Sequence, residues 1–281
     1  MSRDGAQDDD AQRPRHNEPT TSVTASDTNQ DQPRGPRAQR DARDLRFFLT
    51  VPHPCSYLPG REATTLFLDP QAPPSAEIYE ALTLLGFRRS GGNLYRPHCE
   101  GCRACISVRI PVRNFAATRT QRKLVNRNAD LDVRVLSAEF RDEHYALYAR
   151  YISARHTDGD MYPPSRDQYC QFLARPRAFA SLIEFRLGEH LMAVAATDWL
   201  EHGLSAIYTF FDPDPIFERR SLGVFAVLKQ IELARERDLP HVYLGYWIQQ
   251  CQKMRYKQDY QPLEYLDGGR WQQLVPSALS E

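Results

Sequence analysis

"YTFFDPDPIFERRSLGVFAVLKQIELAR" occupies residues 208–235. Its aromatic start closes a strand candidate, "GLSAIYTFFD", because aromatic and β-branched side chains suit a pleated, half-buried surface. "DPDP" then stops the strand, since proline cannot donate to a ladder and aspartate favours turns. Helical periodicity follows over residues 219–238, with Val224, Val227, Leu228, Ile231 and Ala234 on one face. The helix is predicted to begin near Ser221, with Gly223 in its first turn permitting close backbone approach. Free N–H groups there, the helix dipole, Arg219 and Arg220 would form an anion site. A glycine in a first helical turn is also common without any ligand.

The flanking segments extend the pattern. "SLIEFRL" and "HLMAVAATDWL" precede it as strand candidates, with turns around Gly188 and Gly203. "HVYLGYWI" (241–248) follows as a buried-type strand. Upstream come a helix over 118–128, where Thr118 and Gln121 fit a capping box, and a strand "LDVRVLS". A long helix that ends before Gly159 and another at "PSRDQYCQFLAR" come next. Nearer the start, "ATTLFLDP" reads as a strand and "SAEIYEALTLLGFRRSG" (75–91) as a helix with Ile78, Leu82 and Leu85 on one stripe and Gly86 ending it. Helices, an antiparallel meander, a helix and a strand predict an α+β fold with a mixed sheet.

Residues 1–43 are rich in Asp, Arg, Gln and Pro, and Val23 is their one aliphatic side chain larger than Ala beyond Met1. Such a segment cannot bury enough apolar surface to offset its ordering entropy, so a disordered tail is expected. The division expected is tail 1–43, a smaller cysteine-containing N-terminal domain 44–114, and a catalytic domain 115–275. The 281-residue chain carries no net charge, so any nucleic-acid signal must be local. It holds no apolar run long enough to span a bilayer and no signal-peptide pattern, which predicts a cytoplasmic protein without a membrane partner. G-x-G-x-x-G and Walker patterns are absent, which disfavours nucleotide hydrolysis and dinucleotide redox chemistry.

Three local features carry chemistry. Cys99, Cys102 and Cys105 fall at equal two-residue gaps, and Cys55 is the natural fourth thiol. Four thiolates suit zinc or an iron–sulfur cluster; the alternative is a set of reduced, half-buried thiols packed where two segments meet. Arg119, Lys123 and Arg127 recur every four residues with Arg122 beside them, and Asn128 follows. That face can grip phosphates or can simply be solvated. Finally, Tyr151, Arg155, His156 and Asp158, then Tyr246, Lys253, Arg255 and Lys257, mix titratable groups with aromatics. His156 is a candidate proton acceptor or a helix cap, and the later cations suit an anionic substrate or a solvated rim.

Taken in order, "PCSYLPGREATTLFLDP", "YRPHCEGCRAC", "RTQRKLVNRNADL", "YISARHTDGDMYPPSRDQ", "ERRSLGVFAVLKQIE" and "YLGYWIQQCQKMRYKQDYQPLE" resemble the bacterial branch of the arginyl-tRNA–protein transferase family from about residue 44 to 275. "CISVRIPV" departs from the Val-Pro pair usual after the third cysteine, and the tail is extra. The resemblance implies an acetyltransferase-like (GNAT-type) catalytic domain in which an aminoacyl-tRNA end replaces acetyl-CoA. It implies transfer of leucine from leucyl-tRNA to proteins beginning with Asp or Glu, which marks them for N-degron degradation. No cofactor would be required. On that reading Arg119, Arg122, Lys123, Arg127, Arg219, Arg220, Ser221 and Gly223 hold tRNA. Lys253, Arg255, Lys257, Arg155 and Tyr246 receive the acceptor, and His156, Tyr208 and Asp158 serve proton transfer. An oxyanion hole is expected at a strand bulge near Tyr208 or Thr209. Arginine as donor, an acetyl-CoA-dependent N-acyltransferase, and a non-enzymatic RNA-binding or iron–sulfur sensor are the competing readings.

Overall fold

The computed structural model describes residues 45–71 and 75–274; the tail expected over 1–43 lies outside the described residues. Strands β1 (Phe47–Leu49), β4 (Thr65–Leu68), β5 (Arg88–Ser90) and β6 (Asn93–Pro97) form an antiparallel sheet in the order β1-β4-β6-β5, and the short β2 (His53–Pro54) and β3 (Glu62–Ala63) pair beside it. Helix α1 (Ala76–Leu84) packs with this sheet: its Tyr79 and Leu82 are buried together with Leu68, Phe87 and Leu94. Ser75 caps it by accepting from the Ile78 N–H, which satisfies one of the orphan donors of the first turn. Its buried stripe runs through Tyr79 and Leu82; Leu85, expected on that stripe, is 52% exposed because the helix ends at Leu84.

The larger sheet has eight strands in the order β14-β13-β7-β12-β11-β10-β9-β8. These are β7 (Ile106–Pro111), β8 (Asp132–Ser137), β9 (Ala180–Leu187), β10 (His190–Leu200), β11 (Gly203–Phe211), β12 (His241–Trp247), β13 (Glu264–Asp267) and β14 (Arg270–Gln273). Among the described strands only the β11–β12 pair is parallel, so the sheet is mixed, as the sequence predicts. The meander β9–β10–β11 is antiparallel. Strand β7, which precedes the division expected at residue 114, lies inside this sheet between β13 and β12.

Helices cover both faces. Helices α3 (Asp142–Arg155) and α4 (Arg166–Phe172) bury Leu147, Tyr148, Ile152 and Tyr169 against Val194, Ala196 and Phe210. Helix α5 (Leu222–Glu236) buries Leu222, Phe225 and Ala226 against Ile183, Ala193 and Ala195. From Ala193 to Ala196 successive β10 side chains thus enter opposite cores, which is why "AVAA" reads as an unbroken apolar run. Helix α2 (Arg119–Arg127) has the predicted capping box, with Thr118 and Gln121 bonding reciprocally, and its Leu124 joins Val227, Leu228 and Ile231 of α5 in one core. A four-residue helix, α6 (Gln252–Arg255), follows β12. No helix among the described residues is long and apolar enough to cross a membrane.

Candidate active site

Strands β11 and β12 pair only from Gly203–Ser205 to His241–Tyr243 and then part. Two bulges sit just beyond the last pair. On β11 the register against β10 jumps from Tyr208 to Ala206, leaving Ile207 unpaired. On β12 the register against β7 jumps from Tyr243 to Gly245, leaving Leu244 unpaired. An extra residue bends its strand and sharpens the twist, so the two bulges turn the strands away from each other. The bulge expected near Tyr208 is therefore present one residue earlier.

Arg88 occupies the fork. Its guanidinium is buried, and Nη2 donates to the carbonyls of Ala206 at 2.8 Å and Tyr243 at 3.4 Å. These are backbone acceptors that a continued parallel ladder would otherwise satisfy. Gly245, at φ +82°, brings its backbone alongside this guanidinium; a Cβ there would lie 3.5 Å from Arg88 Nε. Next to it, Arg89 grips Asp198 through two hydrogen bonds of 2.6 and 2.9 Å, and Tyr79 donates to the same carboxylate at 2.8 Å. The small sheet is thereby bolted to the base of the fork.

The opening between the strands is a cleft of about 500 Å³. Ala206–Thr209 of β11, Leu244 of β12, and Gly223, Val224, Val227 and Gln230 of α5 wall it. Tyr151, His156, Lys253, Tyr256 and Lys257 also line it, with Tyr151 and Lys257 buried. His156 Nε2 lies 3.4 Å from the Tyr151 hydroxyl. Burial first, and then Lys253 and Arg155, hold the His156 imidazolium below the usual histidine range, against the pull of Asp158. Burial pushes the Tyr208 phenol well up, and its buried hydroxyl has no hydrogen-bond partner. Lys257 is 5% exposed and donates to the Tyr246 carbonyl. Burial, then Arg88, pushes its ammonium down to about 7. Lys253 is exposed and pairs with exposed Asp158 at 3.0 Å.

The cleft thus gathers His156, Tyr208, Lys253, Lys257 and Gly223 from the predicted set. Arg155, Ser221 and Gly223 line a neighbouring cavity of about 550 Å³ at the start of α5. Ser221 takes a left-handed conformation at φ 43° to begin that helix. Asp212, Asp214 and Glu218 share the cavity, so it is not a purely positive pocket. Arg220 turns from it to a two-point ion pair with Asp130, at 2.8 Å each. Arg127 and Asn128 donate to the carbonyls of Arg219 and Arg220, which brings exposed Arg119, Lys123, Arg127 and Arg219 onto adjoining surface. Two predicted acceptor residues fall elsewhere. Tyr246 is buried with its hydroxyl on the carbonyls of Gly86 and Tyr95, and Arg255 donates to the Gln249 carbonyl.

Cys55, Cys99 and Cys105 line a third cavity, of about 430 Å³, which Tyr246 also borders. Burial and the neighbouring Cys55, Cys99, Cys102 and Cys251 push the Cys105 thiol up to about 12, so the thiols share one neighbourhood, with Cys251 added. Among the described residues no three of them come within 4.8 Å of one another; the trio that does is Glu80, Glu201 and His202. There the Glu80 carboxylate already accepts from the backbone N–H groups of Glu201 and His202 and from the His202 ring.

Arg88 and Gln230 escape a reading of the sequence. Arg88 leaves a faint mark there, as one of two adjacent arginines between Gly86 and Gly91; the stretch expected to be helical turns into strand β5 at Arg88. Gln230 leaves a clearer one, a polar residue three positions after Val227 on the otherwise apolar face of α5.

The forked cleft thus gathers a histidine, tyrosines and lysines. Two family models match the chain: arginine-tRNA-protein transferase, N terminus, over residues 53–123, and its C terminus over residues 143–267. An aspartate/glutamate leucyltransferase of Chromohalobacter salexigens is 70% identical over 234 residues, 83% of this chain and 95% of that protein. One of Pseudomonas putida is 56% identical over 81% of this chain and 96% of that protein. The solved structure of L-PGS from Bacillus licheniformis covers 61% of this chain and 50% of its own at 11% identity and a TM-score of 0.38, too distant to bear on the site. The chain is an aminoacyltransferase. It belongs to the aspartate/glutamate leucyltransferases, the bacterial branch of the arginine-tRNA-protein transferase family.

Proposed function

We propose that this enzyme takes leucine from leucyl-tRNA and joins it to the N-terminal residue of proteins that begin with Asp or Glu. The observation that carries this reading is the forked cleft lined by His156 and by an apolar inner wall. The fork and α5 are read as those of an acetyltransferase-like (GNAT-type) fold, with the aminoacyl end of tRNA in the place of acetyl-CoA. The reaction is aminolysis of an ester. An α-amine has a pKa near 8, so the enzyme needs mainly to deprotonate it and align it.

Neutral His156 accepts the proton from the acceptor's α-ammonium. The amine attacks the ester carbonyl, and the tRNA's ribose oxygen leaves with a proton, for which Tyr208 is the relay. Backbone N–H groups of β11 around the Ile207 bulge stabilise the oxyanion. Lys253 exchanges Asp158 for the acceptor's own carboxylate, with Arg155 behind it; Arg255 stands at the rim. The tRNA backbone lies over Arg119, Arg122, Lys123, Arg127 and Arg219, and its terminal phosphates approach Ser221 and Gly223, with Arg220 held to Asp130 between them. Cys55, Cys99, Cys102 and Cys105 have the donor chemistry for zinc or an iron–sulfur cluster. A bound metal would deprotonate the thiols and tie their two segments together, and transfer itself needs no cofactor. The reaction belongs in the cytoplasm, upstream of the degradation machinery.

Peptides beginning with Asp, Glu or Ala, each incubated with labelled leucyl-tRNA or arginyl-tRNA, test the reading. Leucine should enter only the acidic peptides. Arginine transfer would overturn the donor, and no transfer with tRNA still bound would favour an RNA-binding protein.

A further inference from the structure

We infer that the wall between α5 and β12 receives the donor's amino acid, and that the Gln230 side-chain carbonyl accepts a hydrogen bond from its α-amino group. The inference rests on the transferase reading above. Gln230 is 1% exposed yet belongs to the cleft wall. Its Nε2 donates to the Ala226 carbonyl at 3.1 Å, while its Oε1 is buried with no hydrogen-bond partner. A buried carbonyl left without a donor costs on the order of 1–3 kcal/mol, so a ligand that brings one N–H to it gains more than that bond alone.

A leucyl ester has one hydrogen-bond donor, its α-amino group. The neighbours of Gln230 suit the rest of it. Val227 lies one turn earlier on the same face, and Val224 and Leu244 complete an apolar surface for the isobutyl group. No Asp or Glu among the described residues lines the cleft; its titratable side chains are histidine, tyrosine and lysine. An arginyl guanidinium placed here would lose its hydration and find no lining carboxylate; Asp158, outside the lining, is exposed and already paired with Lys253. The same wall therefore provides for leucine's amine and side chain and makes no provision for arginine.

The test compares leucyl-tRNA with 4-methylpentanoyl-tRNA, an analogue that keeps the side chain and ester and lacks the α-amine. Both are offered to the full-length enzyme and to Gln230→Met, a substitution of similar volume. The wild type should prefer leucyl-tRNA in KM by about tenfold, the scale of one hydrogen bond formed to an otherwise unpaired buried group. Gln230→Met should lose that preference while binding deacylated tRNA as the wild type does. Gln230→Glu, which keeps the acceptor, should retain it even if Gln230→Met folds poorly. Equal use of both donors by the wild type, or a preference that survives in Gln230→Met, overturns the inference and leaves leucyl transfer standing. Failure of the wild type to use leucyl-tRNA at all removes the transferase reading and this inference with it.

Discussion

His156 and Lys257 show how burial in the same cleft moves two bases in one direction with different consequences. Because the imidazolium is held below the ordinary 6.5, His156 is neutral at pH 7. The kcat/KM profile should fall on the acid side at a pH below 6.5. In His156→Gln that limb should vanish with a rate loss of roughly 10²–10³; an unchanged rate between about pH 6 and 8 rules out the assignment. Lys257, pushed down to about 7 from 10.5, binds fewer protons folded than unfolded between those values. Its linkage makes the protein more stable as pH rises through that window and less so toward neutrality. Lys257→Met should therefore melt higher relative to the wild type at about pH 7 than at about pH 10, although it leaves the Tyr246 carbonyl without this donor. Thermal scans at the two pH values decide it.

The join between α1, β5 and β10 depends on one carboxylate. Asp198 is fully buried, and Arg89, 6% exposed, has its charge balanced there. Removing one partner of such a pair strands the other, so Asp198→Ala should cost about 3–5 kcal/mol in urea unfolding. Helix α2 predicts differently, because its cations are exposed. Replacing Arg119, Lys123 and Arg127 by Gln should leave stability nearly unchanged and lower the salt slope of tRNA binding by about one for each phosphate no longer neutralised. These elements also show what can be read without coordinates. The capping box of α2 and the turn glycines of the meander obey local rules, so they are visible in the sequence. The fork is not, because it arises where two distant bulges fall opposite each other and an arginine from a third segment fills the gap. The hairpin of β13 and β14 is likewise hidden, since "EYLD" and "RWQQ" carry little apolar alternation to mark a strand.

Strand β7 decides how much of the chain the cleft requires. It pairs with β12 on one side and β13 on the other, so its Val108 and Ile110 lie in the same core as Leu244 and Leu263. A chain starting at residue 115, the division expected from sequence, would lack a central strand and should neither unfold cooperatively nor transfer leucine. Circular dichroism on thermal unfolding, with the peptide assay, checks both. The same placement has a consequence during synthesis. Residues 106–111 leave the ribosome early and must wait for 241–247 and 264–267 before the sheet can close, a long-range pairing of the kind that forms late. An enzyme that draws on charged tRNA thus has no complete cleft until residues 264–267 have been made.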